Sequence, residues 1–212
     1  VAIEKFVYFP LLKYPPYVPL IGSIALLLGI EEVLRLVAGP YIQAFPAEIP
    51  VPGFHFGPIT MSPVLVTVYL VTVIVLFGLW FLSTRTELGL AMRASSQDIQ
   101  IAGSLGINTS RIISTTFIIG SSTAAVAGIL VGIYFNQVYP TMGAVPAYKT
   151  LALIVVGGLG SVPGAVLASV LLGISETLLI GYANIPLPRD ALAFIAMIAV
   201  LMWRPQGLLG RR

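Results

Sequence analysis

The chain is 212 residues long, 58% hydrophobic and only 9% charged, with a formal net charge of +3 and a mean hydropathy of +1.00. So few charges cannot hydrate the surface of a soluble domain, and continuously apolar runs lack the alternation of a membrane barrel. What is left is a set of membrane-spanning helices that satisfy their own backbone groups. With 0 cysteines there is no disulfide, thiolate catalyst or cysteine metal site, and a small charge scattered over short loops argues against a nucleic-acid partner.

Taken in chain order, residues 1–13 begin with Val1 and have neither the apolar core of a signal peptide nor the length of a span, so the sequence is expected to start within a longer protein. A first span is predicted over residues 18–38. Its far end carries Glu31, Glu32 and Arg35, and Glu31 and Arg35 have the i,i+4 spacing of an ion pair. Residues 39–61 form a loop in which Pro40, Pro46, Pro50, Pro52 and Pro58 forbid a regular helix; His55 lies here with no carboxylates at metal-ligand spacing, so no metal site is expected. Residues 63–82 form an uncharged span with Pro63 tolerated in its first turn. Residues 83–111 are a polar island, 112–135 a third span and 136–146 a second loop. A broken span is predicted over 149–182, interrupted by GGLGSVPG at 157–164, and a last one over 190–203.

Basic residues set the orientation. With the island inside, Lys5, Lys13, Arg85, Arg93, Arg111, Arg204, Arg211 and Arg212 are cytoplasmic, against Lys149, Arg189 and Arg35 outside. The chain then crosses an odd number of times between Lys149 and Arg204, either in three passes or in one pass plus a re-entrant hairpin folded at the glycines.

Within the island, Ser95-Ser96-Gln97-Asp98 has the spacing of a capping box and predicts a helix over about 96–105. Gly106 is its expected left-handed stop, and Asn108 or Thr109 the cap of the next span. About 15 Å long, such a helix would lie along the membrane surface, either as a plain connector between spans or as a contact for a partner.

Two rows of small residues recur every fourth position: Gly120, Ala124, Gly128 and Gly132, then Ala165, Ser169, Gly173, Thr177 and Gly181. They fit helix packing or, alternatively, the lining of a translocation route. Glu176 is a carboxylate in an apolar run, to be read as a structural or subunit-interface group or as part of a gate. GGLGSVPG lacks the lysine and following Ser/Thr of a phosphate-binding loop; its Gly157, Gly158, Gly160, Pro163 and Gly164 are better read as a helix break whose freed backbone lines a cavity.

ELGLAMRASSQDIQIAGSLGINTSRI resembles the cytoplasmic loop of the Liv-type permeases, the membrane subunits of branched-chain amino acid ABC transporters. The similarity continues through VGGLGSVPGAVLASVLLGISETLL and the terminal RPQGLLGRR. IEKFVYFPL resembles the basic loop that follows the early spans in that family. The broader importer family carries a glutamate-alanine-alanine-x3-glycine signature in this loop. It falls here on Gln100, Ile101, Ala102 and Gly106, of which the first two depart from it.

The resemblance implies an all-α, polytopic permease forming one domain over residues 1–212, with further N-terminal spans in a complete subunit and a short cytoplasmic coupling helix. Arg93, Ser95, Asp98, Gln100, Ile101, Ala102, Gly103 and Gly106 would form the coupling loop, with Ala102 and Gly103 allowing close approach and Arg93 and Arg111 reaching headgroups or partner carboxylates. It implies a non-catalytic inner-membrane subunit that binds no cofactor itself. The partners would be a second permease, two cytoplasmic subunits that use ATP and an extracytoplasmic binding protein. The expected solute is a branched-chain amino acid, the alternatives being urea or short amides, or a membrane assembly protein that transports nothing. An intramembrane enzyme is disfavoured, because His55 lies outside the spans and neither Asp98 nor Asp190 is mid-span.

Overall fold

A computed structural model describes residues 3–11, 13–15, 17–45, 54–56, 59–158, 161–182, 189–204 and 207. It divides into two compact units, Val1–Thr141 and Met142–Arg212.

The first unit opens with a π-helical turn, Glu4–Tyr8, running into α1 (Phe9–Leu11). The resemblance led us to expect a loop here. Helix forms because two side chains one turn apart are held by a later helix: the Ser114 hydroxyl donates to Glu4 Oε1, and the Tyr8 and Phe117 rings lie 4.9 Å apart. Next comes α2 (Tyr17–Ala38). The expected Glu31–Arg35 pair is replaced by Arg35–Glu32 at 3.2 Å, one residue closer in sequence. After α2 come β1 (Gln43–Ala44), β2 (Phe54–Phe56) and β3 (Ile59–Met61). The proline-rich loop thus holds an antiparallel hairpin, with Phe54 opposite Met61 and His55 opposite Thr60.

Ser62 precedes α3 (Pro63–Arg85), whose first residue is the proline that needs no N–H partner there. Then follow α4 (Glu87–Gln97), α5 (Ile99–Ser104) and α6 (Thr109–Phe135). Asn108 caps α6, accepting from Arg111 N at 3.1 Å. Asn136 ends it in the left-handed region, φ 54, which turns the chain into β4 (Gln137–Val138). Here β4 pairs with β1, Gln43 opposite Val138, and so ties the far ends of α2 and α6 together.

The second unit holds α7 (Ala144–Gly157), α8 (Val162–Tyr182) and α9 (Arg189–Trp203). Its buried core is made of small side chains, Ala152 and Val156 on α7, Ala168 on α8 and Ala193 on α9, which lets the three helix backbones approach closely where lipid gives little drive for association.

Among the described residues, α3, α6 and residues Val162–Leu179 of α8 are long and apolar enough to cross a membrane, and α7 and α9 are shorter apolar helices. No residue of α3 is fully buried, and much of its surface is left for lipid or for other helices. The chain is an all-α polytopic membrane protein, its short strands confined to the loops.

Candidate functional site

The polar island is a bent arm of two helices instead of the single one predicted. Thr86 makes the first bend: its hydroxyl donates to Leu82 O at 2.6 Å and accepts from Gly89 N at 3.1 Å, joining the end of α3 to the start of α4. Gly89 is required at that bend, since a Cβ there would strike the Leu82 and Ser83 carbonyl oxygens. The Arg93 guanidinium donates to Ser83 O, one α3 carbonyl left without an intrahelical partner. Arg93, expected to reach headgroups or a partner, is engaged within the chain.

The predicted capping box is corrected. Ser95 and Ser96 lie inside α4, and the Ser95 hydroxyl is buried with no hydrogen-bond partner among the described residues. Asp98 is itself the cap, its Oδ1 accepting from Gln100 N at 2.8 Å and Ile101 N at 2.9 Å. A carboxylate that can take two N–H groups at once outcompetes a serine three residues earlier, and α5 begins at Ile99.

The C-terminal stop is as predicted. Gly106 has φ +87, with Gly106 N donating to Gly103 O and Ile107 N to Ala102 O, each at 3.1 Å, the paired bonds of a Schellman ending.

On α5, Ala102 is 2% exposed, whereas Ile101 is 60% and Leu105 76% exposed. Ala102 therefore packs inward instead of admitting a partner. The outward surface comes from Gln100, Ile101 and Gly103, with Ile99 and Leu105 beside them. Gly89 and Thr86 were missed by sequence reasoning. The signal available was Thr86-Glu87, an N-cap followed by an acidic first-turn residue.

In the second unit the glycine break is a close-packed turn. A Cβ on Gly157 would meet the backbone of Gly164 and Ala165, and one on Gly164 would meet Gly157. Gly158 (φ +103) and Gly207 (φ +79) are in contact, and a Cβ on Gly207 would collide with Gly158 and come within 2.9 Å of Val155 O. Backbone groups are used locally: Gly158 N donates to Ile154 O, Ser161 N to Gly158 O, and Gly164 N to the Ser161 hydroxyl at 3.2 Å. The chain does break here, between α7 and α8, as the sequence led us to expect, and the described backbone groups bond locally. Pro163 sits harmlessly in the first turn of α8, and Gly160 lies outside the described residues.

Glu176 has a partner that sequence reasoning missed. Lys149, expected at the outer end of a span, lies within α7, and its ammonium donates to Glu176 Oε1 at 2.9 Å and Oε2 at 3.2 Å. The side chains are 22% and 15% exposed. The pair offsets part of the cost of placing two charges on apolar helices.

Most of the glycines in the small-residue rows are open: among the described residues nothing lies within 4 Å of a Cβ on Gly120, Gly128, Gly173 or Gly181, while Gly132 meets Val138 and Phe45, and Ala165 packs at the glycine turn. An apolar groove of about 590 Å³ beside α2, between Val7 and Gly22, Ala25, Leu26, Gly29 and Val33, offers no polar side chain to a charged solute.

Spanning helices joined by a capped polar arm, with an ion pair and a tight glycine turn among the helices, define a polytopic helical membrane protein. The family model for the branched-chain amino acid transport system permease component matches residues 7–201, and the chain belongs to that family. It is 35% identical over 215 residues to the high-affinity branched-chain amino acid transport system permease protein BraD of Pseudomonas aeruginosa, covering 99% of this chain and 69% of the relative. It is 33% identical over 217 residues to LivH of Escherichia coli K12, a permease protein of the same description, with the same coverage. A shorter match, 33% over 126 residues, covers 59% of this chain and 29% of LivM of Salmonella typhimurium, again a high-affinity branched-chain amino acid permease protein. No solved structure shows a significant match.

Proposed function

We propose that the protein is an inner-membrane permease subunit of an ABC importer for branched-chain amino acids, that its spans form part of the translocation pathway, and that the α4–α5 arm couples them to cytoplasmic ATPase subunits. The observation that carries this is how the arm is fixed. Asp98 and Gly106 hold the two ends of α5, and Thr86 with Arg93 locks α4 to the end of α3. Asn108 joins α5 directly to α6. A push on α5 would therefore reach two spanning helices without a flexible link between them. Exposed Ile99, Ile101 and Leu105 give it an apolar tip suited to a groove on another protein.

The partners follow from this reading: a second permease covering the open small-residue faces of α6 and α8, two ATPase subunits and an extracytoplasmic binding protein. Similarity to both LivH and LivM supports a paired permease of like fold. The solute is taken from the relatives' names, and the residues that touch it are not assigned.

The test substitutes the exposed tip. Ile101→Glu and Leu105→Glu change exposed side chains and keep Asp98, Gly106 and the buried Ala102, so membrane insertion is unchanged while co-purification of the ATPase subunit falls at least tenfold, as the loss of a hot-spot contact worth about 2 kcal/mol would give. Normal ATPase binding and uptake in both variants would reduce the arm to a connector.

A further inference from the structure

We infer that Glu4 is a positioning residue: its hydrogen bond to Ser114 sets the segment of residues 4–11 as a strut between α6 and α2, so that motion entering α6 from the arm is carried to α2 as well. The strut role rests on the coupling proposed above for α4–α5 and extends it to a third helix. Glu4 is 2% exposed, the largest fully buried side chain among the described residues.

The strut has two working sides. Toward α6, Glu4 Oε1 accepts from the Ser114 hydroxyl, and one turn further on the Tyr8 ring meets that of Phe117 at 4.9 Å. Toward α2, Leu11 packs on the backbone of Gly22, its Cδ1 2.9 Å from where a Cβ on that glycine would sit, and Val7 shares the wall of the apolar groove with Gly22 and Leu26. The connection from Leu11 into α2 is itself held, Tyr14 N donating to Leu11 O at 3.0 Å and Val18 N to Pro15 O at 2.9 Å. Ser114 lies about 9 Å along α6 from Asn108, where α5 joins it. The strut thus grips α6 close to the entry of the arm, while at the opposite ends of the same two helices β1 pairs with β4. Helices α2 and α6 run in the same direction and are tied at both ends.

A buried carboxyl is a costly way to fill that space, the more so because Glu4 Oε2 has no partner among the described residues. An apolar side chain of similar size would pack there at less cost, but it would let the segment slide along α6. One hydroxyl facing one acceptor allows a single register, which a strut needs and apolar packing does not supply.

The test uses paired spin labels in the complete transporter, at Leu20→Cys on α2 and Ile118→Cys on α6, both half-exposed positions in a chain with 0 cysteines of its own. With no further substitution the distance between the labels is narrowly distributed and shifts by less than about 2 Å between nucleotide-free and ATP-bound states. Glu4→Gln keeps an acceptor for Ser114 and gives the same distribution. Ser114→Ala widens it at least about twofold, and so does the double variant Glu4→Leu/Ser114→Ala, which leaves no buried polar group at this contact and inserts normally. In these two variants uptake per ATP hydrolysed falls at least about fivefold, the low end of an allosteric coupling. Unchanged distributions in both, or a larger ATP-dependent shift without further substitution, would overturn the strut. So would a Glu4→Gln protein that widens as they do, because the charge and not the hydrogen bond would then matter. Distances that respond as stated, in a protein whose arm-tip variants still bind the ATPase, would count against the coupling role of the arm and leave Glu4 setting the register of α2 on α6.

Discussion

Asp98 carries two N–H groups on one carboxylate oxygen, Gln100 N at 2.8 Å and Ile101 N at 2.9 Å, at the start of a six-residue helix. Asp98→Ala should therefore cost about 1 kcal/mol locally, seen as roughly fivefold faster amide hydrogen exchange at Gln100 and Ile101. Asp98→Asn, which keeps an acceptor oxygen, should exchange as the unsubstituted protein does. Equal exchange in all three would mean that α5 is held by packing and not by its cap. At this scale the sequence was legible where one residue type admits one backbone state, as at Gly106. It was misleading where two residue types compete for one task. Serine and aspartate both cap helices, and only the run of α4 through Ser95 decided between them. The inward side of Ala102 and the Arg93–Ser83 bond were not legible for a related reason: a small or a basic residue on a surface-seeking helix is read as outward until the adjoining helix is placed.

Two of the predicted spans were legible as long apolar helices, because uncharged runs in lipid have few alternatives to helix. Residues 63–82 became Pro63–Arg85 and 112–135 became Thr109–Phe135; both gain length where polar residues continue the helix beyond the apolar run. The break at the glycines was legible as a break, but its geometry was not. A glycine in such a turn serves equally to expose backbone to a cavity or to let two backbones touch, and only the facing pairs Gly157–Gly164 and Gly158–Gly207 distinguish these. Those pairs also bear on topology. The end of α9 that leads to Arg204 meets the α7–α8 turn, and α7 and α9 are nearly equal in length, about 21 and 22 Å. Turn and C-terminal end then share one depth, so with Arg204 cytoplasmic, as the basic residues suggest, the turn is expected on that face, as three passes require. Since the chain has 0 cysteines, a single Ser161→Cys can be labelled cleanly. A membrane-impermeant maleimide should react with it from the cytoplasmic face alone. Protection from both faces would restore the re-entrant arrangement.

For the molecule as a whole, membrane character followed from composition, and the family from the island and the glycine-rich motif. What the sequence could not convey was pairing across distance: Lys149 with Glu176, Glu4 with Ser114, and β1 with β4. None of these has a local signature, because each joins residues far apart in the chain. The resulting picture is of a capped arm at α4–α5 and a close-packed glycine turn between α7 and α8, in a permease whose proposed solute is an aliphatic amino acid. Uptake decides that claim most directly. The protein is reconstituted in vesicles with its partner permease, ATPase and binding-protein subunits, and radiolabelled leucine accumulation is measured with and without ATP. The account predicts ATP-dependent accumulation that unlabelled isoleucine and valine suppress and urea does not. Leucine entry independent of ATP, or ATP-driven entry of urea but not leucine, would contradict it.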